Sequence, residues 1–269
     1  MTENAQALLP NQEVEDELEE GTMMTLLEHL WELKDRIIRI AMAVFVWGIA
    51  SFFISEKVLE WLLAPMNRYE GQYKVIATSP TTTLSLFMKI SIFTGAVLAM
   101  PWIVHQVLIY VLPAMTRRER KALVWIIPGA TFLFLTGALF ARYVMVPAAI
   151  PFLLGWWSHL VEQNWMVDEY VPFVTGMIFW VGISFETPLI MAFIARMGVV
   201  TAKQFLRAWK FAVVAIAVLA AFITPTPDPF NMGLVMAPLV SLYFFGVLLA
   251  WMSQPKGDKA KEQDGAEDE

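Results

Sequence analysis

Residues 171–197 read VPFVTGMIFWVGISFETPLIMAFIARM, a run whose only carboxylate is Glu186 and whose only base is Arg196. Apolar side chains on every side of such a helix leave no face for water, and runs of this kind are hard to bury in one small domain. At 1.5 Å per residue the run is about 40 Å long, enough to cross a hydrocarbon core of about 30 Å. Five further apolar runs flank it: Ile37 to Ile54, Leu84 to Leu112, Ala122 to Leu154, Phe211 to Ile223 and Met232 to Met252. The reading is an all-α integral membrane protein with six transmembrane helices. The whole composition agrees, since 58% of the 269 residues are hydrophobic and only 16% are charged, against about 25% charged in ordinary soluble domains.

Three segments follow from these runs. Residues 1–21 are expected to be a disordered, acidic cytoplasmic tail, residues 22–252 the six-helix domain, and residues 253–269 a charged cytoplasmic tail. The first tail is too acidic and polar to be a cleavable signal peptide. Acids concentrated in both tails argue against nucleic acid as a partner. With no cysteine in the chain, disulfides and thiol chemistry are excluded. His29, His105 and His159 stand in separate segments at no ligand-like spacing, and G-x-S-x-G, H-E-x-x-H and P-loop patterns are missing, so no enzyme activity, metal or cofactor is expected.

Bases set the expected orientation. One side of the alternating topology collects Lys34, Arg36, Arg39, Arg117, Arg118, Arg120, Lys121, Arg196, Lys203, Arg207, Lys210, Lys256, Lys259 and Lys261; the other has Lys57, Arg68 and Lys74. Both termini should therefore be cytoplasmic. On the outer side the amphipathic stretch Val58, Leu59, Trp61, Leu62, Leu63 before Pro65, and the helix start at Ser79-Pro80, predict a cap. The tryptophan-rich segment between Pro151 and Tyr170 would add a second piece to it. Phe211 to Ile223 is short, about 20 Å, and should thin the bilayer or recruit partner helices.

Glu186, in Ser184-Phe185-Glu186-Thr187-Pro188, is the strongest single candidate, because a carboxylate inside a span is costly unless hydrated, protonated or paired. Glu28 and Glu32 share a helix face at i, i+4 ahead of the first span. Glu119 is the one acid among Arg117, Arg118, Arg120 and Lys121. These residues leave two function classes open: a binding and docking subunit, or a proton-coupled small-solute secondary transporter using Glu186, although no half-to-half repeat of the transporter kind is seen.

Taken together, His29-Leu30-Trp31-Glu32-Leu33, Ala64-Pro65, Tyr110 through Arg120, Gly182 through Pro188 and Thr224-Pro225 with Asp228 resemble the TatC family, over about Leu26 to Trp251. TatC is the multispanning core of the twin-arginine protein translocase. The resemblance implies a concave, glove-like bundle with an outer-face cap in the cytoplasmic (inner) membrane. It also implies a receptor for twin-arginine signal peptides that recruits single-span partners of the TatA and TatB type, forms homo-oligomers within a receptor complex, and exports folded proteins on the proton-motive force. Glu32 and Glu119 match the two acids that take the arginine pair, a geometry that suits two planar guanidinium groups. Glu186 matches the intramembrane acid beside which partners dock, and Asp228 the functional acid of the last outer turn. Lys34 replaces the family's usual arginine after Glu-Leu, and Phe244 stands where many members carry an acid.

Overall fold

A chain this apolar can satisfy its backbone in lipid only through intra-segment hydrogen bonds, and helices account for nearly all of the structure. The computed structural model describes the backbone of residues 26–69, 75–111, 117–155, 165–224 and 229–254. Helix α1, Leu26–Ser51, runs into a 3-10 turn at Phe52–Ile54 and the short helix α2, Ser55–Leu63. Then come α3, Pro80–Leu98; α4, Met100–Val111; α5, Arg117–Phe140; and, across a π-helical turn at Ala141–Met145, α6, Val146–Gly155. The second half holds α7, Val167–Ser184; α8, Thr187–Arg196; α9, Ala202–Arg207; α10, Trp209–Ile223; and α11, Pro229–Ser253.

Among the described residues five stretches are long and apolar enough to cross a membrane, Glu28–Leu63, Pro80–Leu98, Ile126–Gly155, Val167–Arg196 and Pro229–Ser253, and Trp209–Ile223 is a shorter apolar helix. The spans are less continuous than the apolar runs imply. The second run breaks at Ala99, between α3 and α4, two residues before Pro101. Proline lacks an N–H and its ring crowds the carbonyl four residues back, so the ladder cannot pass smoothly. The fourth run breaks at Phe185–Glu186, between α7 and α8, and Pro188 at the start of α8 is the local cause.

Where the sequence predicts a cap, α2 forms, buries Leu62 completely and ends at Leu63. Ser79 caps α3 with extended φ and ψ, its Oγ accepting from the Thr81 N–H at 3.3 Å, and Pro80 occupies the first turn. Just ahead of α3 and α7 lie two-residue strands, β1, Val75–Ile76, and β2, Trp165–Met166, which pair in parallel, Val75 with Trp165 and Ile76 with Met166. The loops that precede α3 and α7 are thereby tied together at one end of the bundle.

Two fastenings hold α2 against the bundle. Arg142, 4% exposed inside the π turn, donates from Nε at 3.1 Å and from Nη2 to the carbonyl of Trp61, and stacks its guanidinium 4.8 Å from the Trp61 ring. Tyr170 donates its hydroxyl to the carbonyl of Leu62 at 3.1 Å. Both acceptors are end carbonyls of α2, where the helix lacks internal donors and carries its negative dipole end.

The core runs from Leu62 through Met145, Val146 and Ile150 to Tyr170, Val174, Met177 and Val181, all 1% exposed or less. Close packing elsewhere rests on glycine, as is common between helices in lipid. A Cβ on Gly95 of α3 would lie 2.5 Å from the backbone nitrogen of Gly48 on α1, so the two backbones touch at this crossing. A Cβ on Gly137 of α5 would meet the Phe185 ring at 2.6 Å, which is how the residue beside Glu186 seats itself. By contrast α1 and α10 show wide apolar surfaces, among them Phe45, Val46, Phe211 and Phe222.

Candidate functional site

The first candidate site grows from the packing of α1 against α4. Four residues make one helical turn, so Glu32 and Arg36 lie on one face, and Arg36 Nη2 donates to Glu32 Oε1 at 2.8 Å. Arg36 Nη1 donates to Oε1 of Gln106 on α4 at 2.9 Å, and Gln106 is 2% exposed. A turn before Glu32, His29 stacks on Tyr110 of α4 with ring centroids 4.4 Å apart. The second Glu32 oxygen, Oε2, is buried, and among the described residues none donates to it. This carboxylate is held firmly by Arg36 on one side, and its other oxygen is a desolvated acceptor without a described partner. Lys34, which follows Glu32-Leu33, points elsewhere: its ammonium pairs with Asp35 at 3.6 Å and sits 4.5 Å from the Trp31 ring centroid. The base that engages Glu32 is thus Arg36. Glu119 is in the first turn of α5, 13 residues after the Gln106 that helps to hold Arg36, but its side chain lies outside the described residues.

The second candidate is Glu186. It stands at the N-cap position of α8 with helical φ and ψ, its N–H donating to the carbonyl of Ile183 at 3.0 Å and its carbonyl accepting from Leu189 and Ile190 at 3.0 Å. Its side chain makes no cap bond, and Oε1 is buried without a partner among the described residues. The flanking Ser184 and Thr187 line a cavity of about 190 Å³ shared with Ala212 and Ile216 of α10 and Leu239 and Tyr243 of α11. The break between α7 and α8 thus shares a void with α10 and α11 at this level, although Glu186 does not itself line it. Asp228 lies outside the described residues, and Phe244, 42% exposed, packs edge-on against Tyr243.

Three polar groups escape a reading based on flanks and motifs. Gln106 is one. The others are Lys89 and Arg142, the two bases that the flanking segments do not contain, because both sit inside helices. A single cation hardly dents the hydropathy of a long run, yet its cost in lipid is itself a signal of function or pairing.

These features define a polytopic helical membrane protein with a buried carboxylate oxygen, unpartnered among the described residues, at one helix crossing and another at one helix break. Residues 28–238 match the family model described as Sec-independent protein translocase protein (TatC). The Sec-independent protein translocase protein TatC of Synechocystis is 34% identical over 86% of this chain and 90% of its own length. That of Deinococcus radiodurans is 32% identical over 84% and 85%. A crystal structure titled as the twin arginine translocase receptor TatC superposes with a TM-score of 0.75 at 32% identity, covering 84% of this chain and 99% of that one. The chain belongs to the TatC family, a membrane-integral component of a protein translocase and not an enzyme. Membership does not favour the small-solute carrier reading of Glu186.

Proposed function

We propose that this chain is the receptor and core subunit of a twin-arginine translocase, in which Glu32 and Glu119 bind the arginine pair of a signal peptide. The observation that carries the reading is the half-occupied carboxylate of Glu32: Arg36 holds Oε1, and no described residue donates to the buried Oε2. An incoming guanidinium finds an acceptor already desolvated and oriented, which favours a charged, forked donor over a neutral one. Arg36 and Gln106 are positioning residues in this scheme. Glu186, beside the cavity between the fourth and fifth spans, is where single-span partners of the TatA and TatB type dock, and Asp228 serves in the last outer turn. The termini face the cytoplasm, with residues 1–21 and 253–269 as charged tails of the domain at 22–252. Assembly into a receptor complex of several copies fits the wide apolar surface of α1.

The direct test is capture of a precursor carrying a twin-arginine signal by the purified full chain, beside its twin-lysine control. Selective capture of the arginine form is expected. Equal capture of the two would remove the receptor reading.

A further inference from the structure

Lys89 sits in α3, nine residues past Pro80, and so about 14 Å along the helix from its start, inside a stretch of membrane-crossing length. It is exposed, and among the described residues no hydrogen bond or ion pair reaches its ammonium; Asp168 and Glu169, the acids in the first turn of α7, form none with it. The nearby Thr175 hydroxyl donates to the carbonyls of Val171 at 2.8 Å and Pro172 at 3.2 Å. Lys89 lines a groove of about 410 Å³ between α3 and α7, whose polar content is otherwise slight.

The groove has a direction. Because β1 and β2 pair in parallel immediately ahead of α3 and α7, the two helices start at the same end and run the same way. Lys89 and Val171 are then at the top of the groove, with Ile92 and Phe93 below on α3 and Phe179 at the foot on α7. Helical side chains lean toward the N-terminus, so the Lys89 stem, at the middle of α3, leans up toward the Pro80 end and the headgroup layer on that side. A cation over an apolar trough is complementary to an anion over an apolar chain. The trough spans only Val171 to Phe179, about 12 Å of helix, too little for a partner helix crossing about 30 Å of hydrocarbon.

We propose that this groove is a binding site for an anionic phospholipid of the phosphatidylglycerol class, its phosphate on Lys89 and one acyl chain between Phe93 and Phe179. The site belongs to the leaflet that the Pro80 end of α3 faces, whichever way the protein is oriented, and is independent of the signal-peptide reading.

The absence of cysteine makes the site addressable. Ile92, 60% exposed at the lip of the groove, is replaced in an Ile92→Cys variant and labelled with a fluorophore. The labelled full chain is reconstituted in phosphatidylcholine vesicles with traces of brominated phosphatidylglycerol or brominated phosphatidylcholine. Quenching should show an association about fivefold in favour of phosphatidylglycerol, the ratio expected for one Lys near an anionic headgroup. Lys89→Gln should bring the two lipids to parity while leaving quenching by phosphatidylcholine unchanged, which reports that the helix is still inserted, and Lys89→Arg should keep the preference. A probe on a Phe244→Cys variant, at another exposed span, should show none. Equal quenching by the two lipids with Lys89 present, or a preference that survives Lys89→Gln, overturns the proposal. So does loss of quenching by both lipids when single-span partners are co-reconstituted, because the groove would then belong to a protein helix.

Discussion

Glu32 offers its two oxygens unlike surroundings, one paired with Arg36 and the other buried without a partner among the described residues, and this asymmetry makes its chemistry testable by single substitutions. Glu32→Ala and Glu119→Ala should each weaken capture of a twin-arginine precursor by about 2–5 kcal/mol, toward the lower bound if the site is wet, with the protein still inserted. Site-specific crosslinking of the precursor measures this, and unchanged yields in both variants would take these acids out of the site. Glu32 stands out in the sequence because its motif is local: an acid one turn from Glu28, ahead of a span. Its setting was not, since Gln106 is separated from Arg36 by 70 positions and only the packing of α1 on α4 joins them. The same holds for Arg142, which reaches the Trp61 carbonyl across 81 positions. Helical periodicity, one turn on from Glu32, is the local signal that places Arg36 as its base.

Elements whose signals lie within a few residues were readable in advance. The cap helix α2, the Ser79 start of α3 and the short α10 all follow from such signals. The breaks at Ala99 and at Phe185–Glu186 were hidden because hydropathy does not register backbone geometry, even though Pro101 and Pro188 stand beside them. Two predictions belong to this scale. Arg142→Ala removes charge-assisted bonds to the end of α2 and should lower stability by about 1.5–3 kcal/mol, visible as a lower melting temperature in detergent, with partial recovery in Arg142→Lys, which keeps the charge without the fork. No change in the Arg142→Ala melt would show that α2 is held by Tyr170 and packing alone. Gly95→Ala must push α1 and α3 apart at Gly48 and should cost about 1–3 kcal/mol, while Gly176→Ala, where a Cβ meets open space, should be nearly silent. Equal melts for the two alanine variants would contradict the tight crossing.

For the molecule as a whole, the partly unsatisfied Glu186 and the 15-residue α10 both oppose a thick, dry bilayer, and together they call for water or partner helices at the same level. Glu186→Ala should impair partner assembly or transport more than precursor binding; an equal loss in both assays would tie it to the signal site instead. A Glu186→Cys variant should react with a membrane-impermeant thiol reagent in intact membranes, and complete protection there with ready labelling in denaturant would mean that no water enters. The Gly48–Gly95 contact has a mechanical consequence for the opposite end of α1. Glu32 lies 16 residues away, about 24 Å along the helix, and the Arg36–Gln106 bond is a second anchor near it. With both anchors α1 is a strut. With the glycine contact alone it becomes a cantilever, and a swing of about 10° would carry Glu32 by about 4 Å, farther than the length of a hydrogen bond. The aim of the carboxylate is therefore set as much by two glycines deep in the bundle as by the arginine beside it.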